Sequence, residues 1–387
     1  VTVSSIALPR LLRIGAGAID EVPAALAQLA LNRPVVITDG YIAESGALGR
    51  LQSLLAAAGI QVRAFTGSIP DPTSRSVDAA VAFVNQGRHD CVIGFGGGSA
   101  IDTAKAAAVL TVRGGMIRSL KAPHQEDVPG LPIIAIPTTA GTGSEATRFT
   151  IVTDETTDEK MLCAGLAYLP SVAIVDYELT LTKPLRLTAD TGIDALTHAI
   201  EAYVSRRANP FADGMAIAAM RAIWSNLRTA CAEPANRAAR EGMMLGSLQA
   251  GIAFSNASVA LVHGMSRPIG AHFHIAHGLS NAMLLPTVTA WSAQEAMPRY
   301  AECAKAMGVA LHSDEDAAAV SRLIDALRQV NEKLEVPTPR SYGINKQKWD
   351  QLLPLMAEQA LSSGSPANNP RIPDAEMIED LYRQAWD

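Results

Sequence analysis

The chain has 387 residues, 48% of them hydrophobic and 18% charged, which is enough apolar material for packed cores and argues against disorder. Its 32 basic and 38 acidic residues leave a net charge of −6, which speaks against a nucleic-acid or anionic-membrane partner. No run approaches the roughly 18 apolar residues of a membrane span, and the opening VTVSSIALPRLLR lacks the charged-then-apolar pattern of an export signal. Cys91, Cys163, Cys231 and Cys303 are dispersed without a CxxC pair, so they read as reduced thiols in a cytoplasmic protein.

The first half alternates strand and helix signals. Pro34–Asp39 (PVVITD) is a valine-rich strand, followed by a helix over Ala43–Ala58 with Leu48, Leu51 and Leu55 on one stripe. Gln61–Phe65 reads as a second strand and Ser74–Gln86 as a second amphipathic helix. Cys91–Phe95 follows, then a glycine turn and the alanine-rich helix Ala100–Leu110. Two further strands are expected at Leu131–Ile136 and Ser171–Asp176. Strands separated by helices of this length predict a parallel sheet covered on both faces, an α/β domain. Beyond the TLTKPLRLTADTG stretch the chain turns helical and no β-branched strand is evident, so the domains are expected to be 1–184, α/β, and 185–387, all-α.

Two glycine-rich loops leave strand ends in the first domain. Gly96, Gly97, Gly98 and Ser99 precede a helix carrying Asp102 and Lys105, and a helix N-terminus with glycines before it suits a phosphate. The same residues also fit a tight turn in which Ser99 caps the helix and Asp102 completes a capping box. The second loop, Pro137–Glu145 (PTTAGTGSE), is rich in hydroxyls and small residues. Two such loops at the carboxyl edge of one sheet suit a dinucleotide better than a single phosphate. Asp39 ends the first strand, where a carboxylate can accept hydrogen bonds from an adenosine ribose or, with Gly40, simply make a turn.

In the second domain Asp194 and His198 are spaced i, i+4, on one face of a helix, and four of the eight histidines lie between His263 and His277. One carboxylate and three imidazoles (His198, His263 and His277) can hold a divalent transition metal with a position left open.

The segments GGGSAIDTAKA, PTTAGTGSEAT, TGIDALTHAIEAYVS and VHGMSRPIGAHFHIAHGLSNAMLLP, in this order, resemble the iron-containing (group III) alcohol dehydrogenases over nearly the whole chain. The resemblance implies a dinucleotide-binding domain followed by a helical one, the architecture shared with dehydroquinate-synthase-like proteins, with the active site in the cleft between them. It implies that Asp194, His198, His263 and His277 are metal ligands, with Fe(II) first and zinc second. It makes Gly96, Gly97, Gly98 and Ser99 the pyrophosphate loop and Thr138, Thr139 and Ser144 the second nucleotide loop. Asp102 and Lys160 correspond to further cofactor positions, and Asp39 to an acidic residue that goes with NAD. The implied activity is hydride transfer between NAD(H) and a small alcohol or aldehyde, or a hydroxy acid or semialdehyde, with the metal as Lewis acid and a homo-oligomeric enzyme.

One departure stands out. Many relatives carry a histidine four residues after the third ligand, where this chain has Arg267, which stays protonated and cannot act as a base near neutral pH. Arg267, His272 and His274 are then candidates for substrate contact or proton relay, against a plain structural or solvated role. Transhydrogenases and maleylacetate reductases share the scaffold as rival readings, and dehydroquinate-synthase-like lyases are a rival from another class.

Overall fold

The computed structural model describes residues 3–387. The backbone divides into two compact units, Ala7–Lys183 and Pro184–Asp387, the latter joined by residues 3–6.

In chain order the first unit contains β1 (Leu11–Ile14), α1 (Val22–Gln28), β2 (Pro34–Asp39), α2 (Gly40–Glu44), α3 (Ala47–Ala57), β3 (Arg63–Ser68), α4 (Ser74–Asn85), β4 (Cys91–Gly96), α5 (Gly98–Arg113), β5 (Ile133–Pro137), β6 (Phe149–Asp154), β7 (Glu159–Ala164) and β8 (Val172–Val175). Six strands form one sheet in the order β1-β8-β5-β4-β2-β3, and every neighbouring pair is parallel. Alternate side chains serve opposite faces, as a pleated strand requires. Val36, Ile93 and Ile134 pack with Leu26, Leu51 and Leu55 of α1 and α3. Val35, Ile37, Val92 and Ile133 pack with Ala80 and Val84 of α4 and Ala104, Ala107 and Ala108 of α5. A sheet covered on both faces needs apolar residues at consecutive positions, which is why these strands read as runs rather than alternations.

Three elements differ from the sequence expectation. The helix expected over Ala43–Ala58 is broken at Ser45–Gly46 into α2 and α3. Strand β1 was not expected; it pairs at the sheet edge with β8. The antiparallel pair β6–β7 was also not anticipated, because the buried face of β6 carries Thr150, Val152 and Asp154 and so mimics a polar loop.

The second unit is helical: α6 (Leu185–Val204), α7 (Pro210–Ala232), α8 (Arg237–Ala257), α9 (Leu261–Phe273), α10 (His277–Ser292), α11 (Met297–Ala306), α12 (Asp316–Lys333), α13 (Pro339–Tyr342), α14 (Lys346–Ser362) and α15 (Ala375–Gln384). Helix α6 is buried along almost its whole length, as befits a central helix. Among the described residues, no single helix is long and apolar enough to cross a membrane, and the four cysteines are free and buried.

Candidate metal centre and nucleotide loops

In the first unit the strand register sets three loops side by side. Thr38 pairs with Phe95 and Gly96 with Pro137, so the chain leaves β2 at Asp39, β4 at Gly97 and β5 at Thr138 along one carboxyl edge.

The capping-box reading of the first loop does not hold. Helix α5 starts at Gly98 with Gly97 as N-cap and no side-chain cap, whereas α4 is closed by a Thr73–Ser76 capping box. The first N–H groups of a 16-residue helix are thus left without a side-chain acceptor at the glycine loop. Ser99 Oγ instead accepts from the Asp71 amide at 3.2 Å, and Lys160 on β7 holds the Asp71 carboxylate at 2.8 Å. Asp102 turns inward: its Oδ1 accepts from Ser144 Oγ at 2.7 Å and its Oδ2 from the Ile151 amide at 3.0 Å. The loops also touch directly, for a Cβ on Gly98 would lie 2.7 Å from Thr142 Cγ2. Thr138 is buried and its amide donates to the Gly96 carbonyl, while Thr139 is half-buried beside Gly97.

Beneath these loops lies a buried charge cluster that sequence reasoning did not identify. Lys105 Nζ donates to the Thr147 and Phe149 carbonyls and to Thr147 Oγ1. Burial pulls its pKa down to about 8, against the pull of Asp102 and Glu145. Burial pushes Glu145 up to about 7, and raises Asp102 as well. Asp39 Oδ1 accepts from the Ile42 amide at 2.9 Å and caps α2, so the turn role exists, and its Oδ2 lies beside Gly96.

In the second unit α6 presents Asp194, His198 and Glu201 at i, i+4 and i+7, one helical face. Helix α9 brings His263, and α10 begins with His277. The start of α10 lies close to α6 because Gly278 has no side chain: a Cβ there would meet the Asp190 carbonyl oxygen at 2.5 Å. One ligand atom each from Asp194, His198, His263 and His277 lies within 4.8 Å of the others. From Asp194 Oδ1 the distances are 3.5 Å to His263 Nε2, 3.8 Å to His277 Nε2 and 4.0 Å to His198 Nδ1. Metal–ligand bonds of about 2.0–2.2 Å imply tetrahedral ligand–ligand separations of roughly 3.3–3.6 Å, so the cluster needs only a small contraction to close on an ion.

The electrostatics fit the same group. Burial would raise the Asp194 carboxyl, but the imidazoles of His198, His277 and His263 outweigh it and hold it well below the usual carboxylate range. Burial, reinforced by the neighbouring His263 and His277, brings His198 down to about 3 despite Asp194, so its ring is neutral. Its Nδ1 is buried without a hydrogen-bond partner, a vacancy of partners that a metal would fill. For His263, hydrogen bonds to Asp194 and Glu201 overcome burial and raise the pKa. The His198 ring stacks on Phe254 at 4.2 Å and on His263 at 4.4 Å.

Two polar residues of the centre escaped sequence reasoning. Glu201 accepts from His263 Nδ1 at 2.6 Å and from the Ala260 and Val262 amides. Asn281, one turn after His277, places Nδ2 2.6 Å from Asp194 Oδ1, 3.1 Å from His263 Nε2 and 3.2 Å from His277 Nε2. Their i+7 and i+4 spacings from known candidates were the available signal. The three residues proposed for proton or substrate work are dispersed in role. Arg267 is 9% exposed with Nη1 on Ser365 Oγ, His272 bonds Gln359, and His274 is exposed in the left-handed position that ends α9.

The model of iron-containing alcohol dehydrogenases matches residues 9–177, and that of the C-terminal part of the Fe-containing alcohol dehydrogenase family matches residues 188–386. The chain belongs to the iron-containing alcohol dehydrogenase family. It is 41% identical over 356 residues to Long-chain-alcohol dehydrogenase 1 of Geobacillus thermodenitrificans strain NG80-2, covering 91% of this chain and 90% of that one. It is 34% identical over 373 residues to the NAD-dependent methanol dehydrogenase of Bacillus methanolicus, covering 96% and 97%. The crystal structure of 1,3-propanediol oxidoreductase matches with a TM-score of 0.94 at 34% identity, over 99% of this chain and 100% of that one. The motif resemblance and the α/β-then-helical architecture therefore both hold, and this iron-containing alcohol dehydrogenase is an oxidoreductase.

Proposed function

We propose that Asp194, His198, His263 and His277 hold a divalent metal, Fe(II) by preference and zinc second, in an enzyme that moves hydride between NAD(H) and a short, uncharged alcohol or its aldehyde. The convergence of one buried carboxylate and three imidazoles from α6, α9 and α10 carries this reading. When bound, the metal would supply Lewis acidity toward the alcohol oxygen and NAD the hydride acceptor.

Each residue then has a stated task. Asp194 supplies the negative charge of the ligand set, and His198 a neutral ring braced by Phe254. The uncapped start of α5 at Gly97, Gly98 and Ser99 offers amides to the pyrophosphate, and Thr138, Thr139 and Ser144 border it from the next strand. Asp102 fastens those two loops together, and Lys160 braces the first through Asp71. Asp39 takes the ribose hydroxyls and repels a 2′-phosphate. Burial of Arg267 against Ser365 and the Phe254 ring on His198 favour an uncharged substrate over a hydroxy acid. Free buried thiols support a reducing, cytoplasmic setting, and a homo-oligomer remains part of the proposal.

The test is anaerobic NADH formation by metal-stripped protein given Fe(II) or Zn(II) and a panel of alcohols and hydroxy acids. Metal-dependent NADH production with short alcohols supports the reading. Equal activity without metal, or turnover only when an oxo acceptor is supplied, overturns it, the latter in favour of a transhydrogenase. His198→Ala and His263→Ala should each lose bound metal and activity together.

A further inference from the structure

Glu201 is a carboxylate with no position in the ligand set, yet it is almost completely enclosed, with 4% of its side chain exposed. Its two oxygens accept three hydrogen bonds: from His263 Nδ1 at 2.6 Å, from the Ala260 amide at 2.9 Å and from the Val262 amide at 2.5 Å. All three donors lie at the beginning of α9, so one side chain of α6 fixes both the backbone entry of α9 and the ring orientation of His263. An acceptor at Nδ1 holds a proton there and leaves Nε2, 3.5 Å from Asp194 Oδ1, as the nitrogen a metal would take.

An enclosed carboxylate needs a counter-charge. Arg267 lies one helical turn beyond His263 on α9, on the same face, and is itself enclosed with Nη1 on Ser365 Oγ. Burial pulls the Arg267 pKa down to about 10, and the charge that opposes this pull is that of Glu201. Arg267 therefore remains a cation throughout the physiological range.

Resting on the metal reading above, we propose that Glu201 is a positioning residue that locks His263 in the metal-ready tautomer.

The experiment is zinc affinity by chelator competition, with a thermal melt of each metal-free variant beside it. Glu201→Gln should bind zinc about 10- to 100-fold more weakly, the range of partners that orient a metal-bound histidine. Wild-type protein that binds no zinc would refute the metal reading itself. Wild-type protein that binds while a folded Glu201→Gln binds equally well overturns the Glu201 proposal. Should Glu201→Gln fail to fold, imidazole NMR of the zinc-loaded wild type decides: a proton on His263 Nδ1 is expected, and a proton on Nε2 refutes the lock.

Discussion

Ser144 Oγ donates to Asp102 Oδ1 at 2.7 Å, so one hydrogen bond joins the helix after the first glycine loop to the second glycine loop. The other oxygen of Asp102 takes the Ile151 amide, which ties the start of the β6–β7 pair to the same point. Asp102→Ala leaves a buried hydroxyl and a buried amide without acceptors, each costing about 1–3 kcal/mol. The expected outcome is a lower melting temperature and a KM for NAD raised about tenfold, equivalent to roughly 1.4 kcal/mol. The KM for alcohol at saturating NAD should stay the same; a change in the alcohol KM alone would contradict the assignment.

Glu145 gives a pH signature. Its pKa is raised by burial from 4.5 to about 7, so the folded state holds a proton that the unfolded state has released. The group's stabilising contribution is therefore full below about pH 4.5 and is lost as pH rises through about 7. Lys105, with its pKa near 8, stays cationic through most of that window. Denaturant melts of wild type should show stability falling across it relative to Glu145→Gln, and parallel profiles would remove Glu145 as the cause.

Asp39 caps α2, and substitution can separate that task from the ribose role proposed for it. Asp39→Asn keeps an oxygen for the Ile42 amide and removes the charge, whereas Asp39→Gly also loses the cap of α2. Both should raise the use of NADP relative to NAD in steady-state assays, the glycine variant with a few tenths of a kcal/mol less stability. An unchanged nucleotide ratio in the asparagine variant would leave Asp39 with capping alone.

Asn281 donates toward three of the four ligand atoms, and its Oδ1 is buried without a partner. The lone pairs it faces are the ones a metal would take, so Asn281 must turn aside when metal binds and Asn281→Ala should not weaken metal affinity. The melting temperature of the metal-free protein should move little, because an unsatisfied carbonyl oxygen leaves with the side chain. Metal content after dialysis against a chelator is the measurement, and poorer retention than wild type would contradict this account.

His272 and His274 are separated by their surroundings, one bonded to Gln359 and the other exposed at the end of α9. With Arg267 held as a cation, they are the histidines of that segment left to carry a proton. Changing both to Asn should slow turnover without removing metal; identical rates across pH would end their candidacy.

Much of this protein follows from local pattern. Runs such as PVVITD and CVIGF are strands buried on both faces, and the i, i+4 spacing of Asp194 and His198 places them together wherever α6 goes. The candidate ligands and both glycine loops were legible because each lies in a short motif whose spacing is set by one helix or one turn. Tertiary structure decided what spacing cannot express. Asp102 reads as a capping residue until β6 and the second loop arrive to take its oxygens. Glu201 reads as an ordinary helix-surface glutamate until the first turn of α9 donates three hydrogen bonds to it. Arg267 reads as a substrate contact until it is enclosed beside Ser365. The sequence determines which groups can donate, accept or carry charge; the partner of a buried polar group comes from a distant part of the chain, and the cost of leaving that group unpaired is what makes the fold supply one.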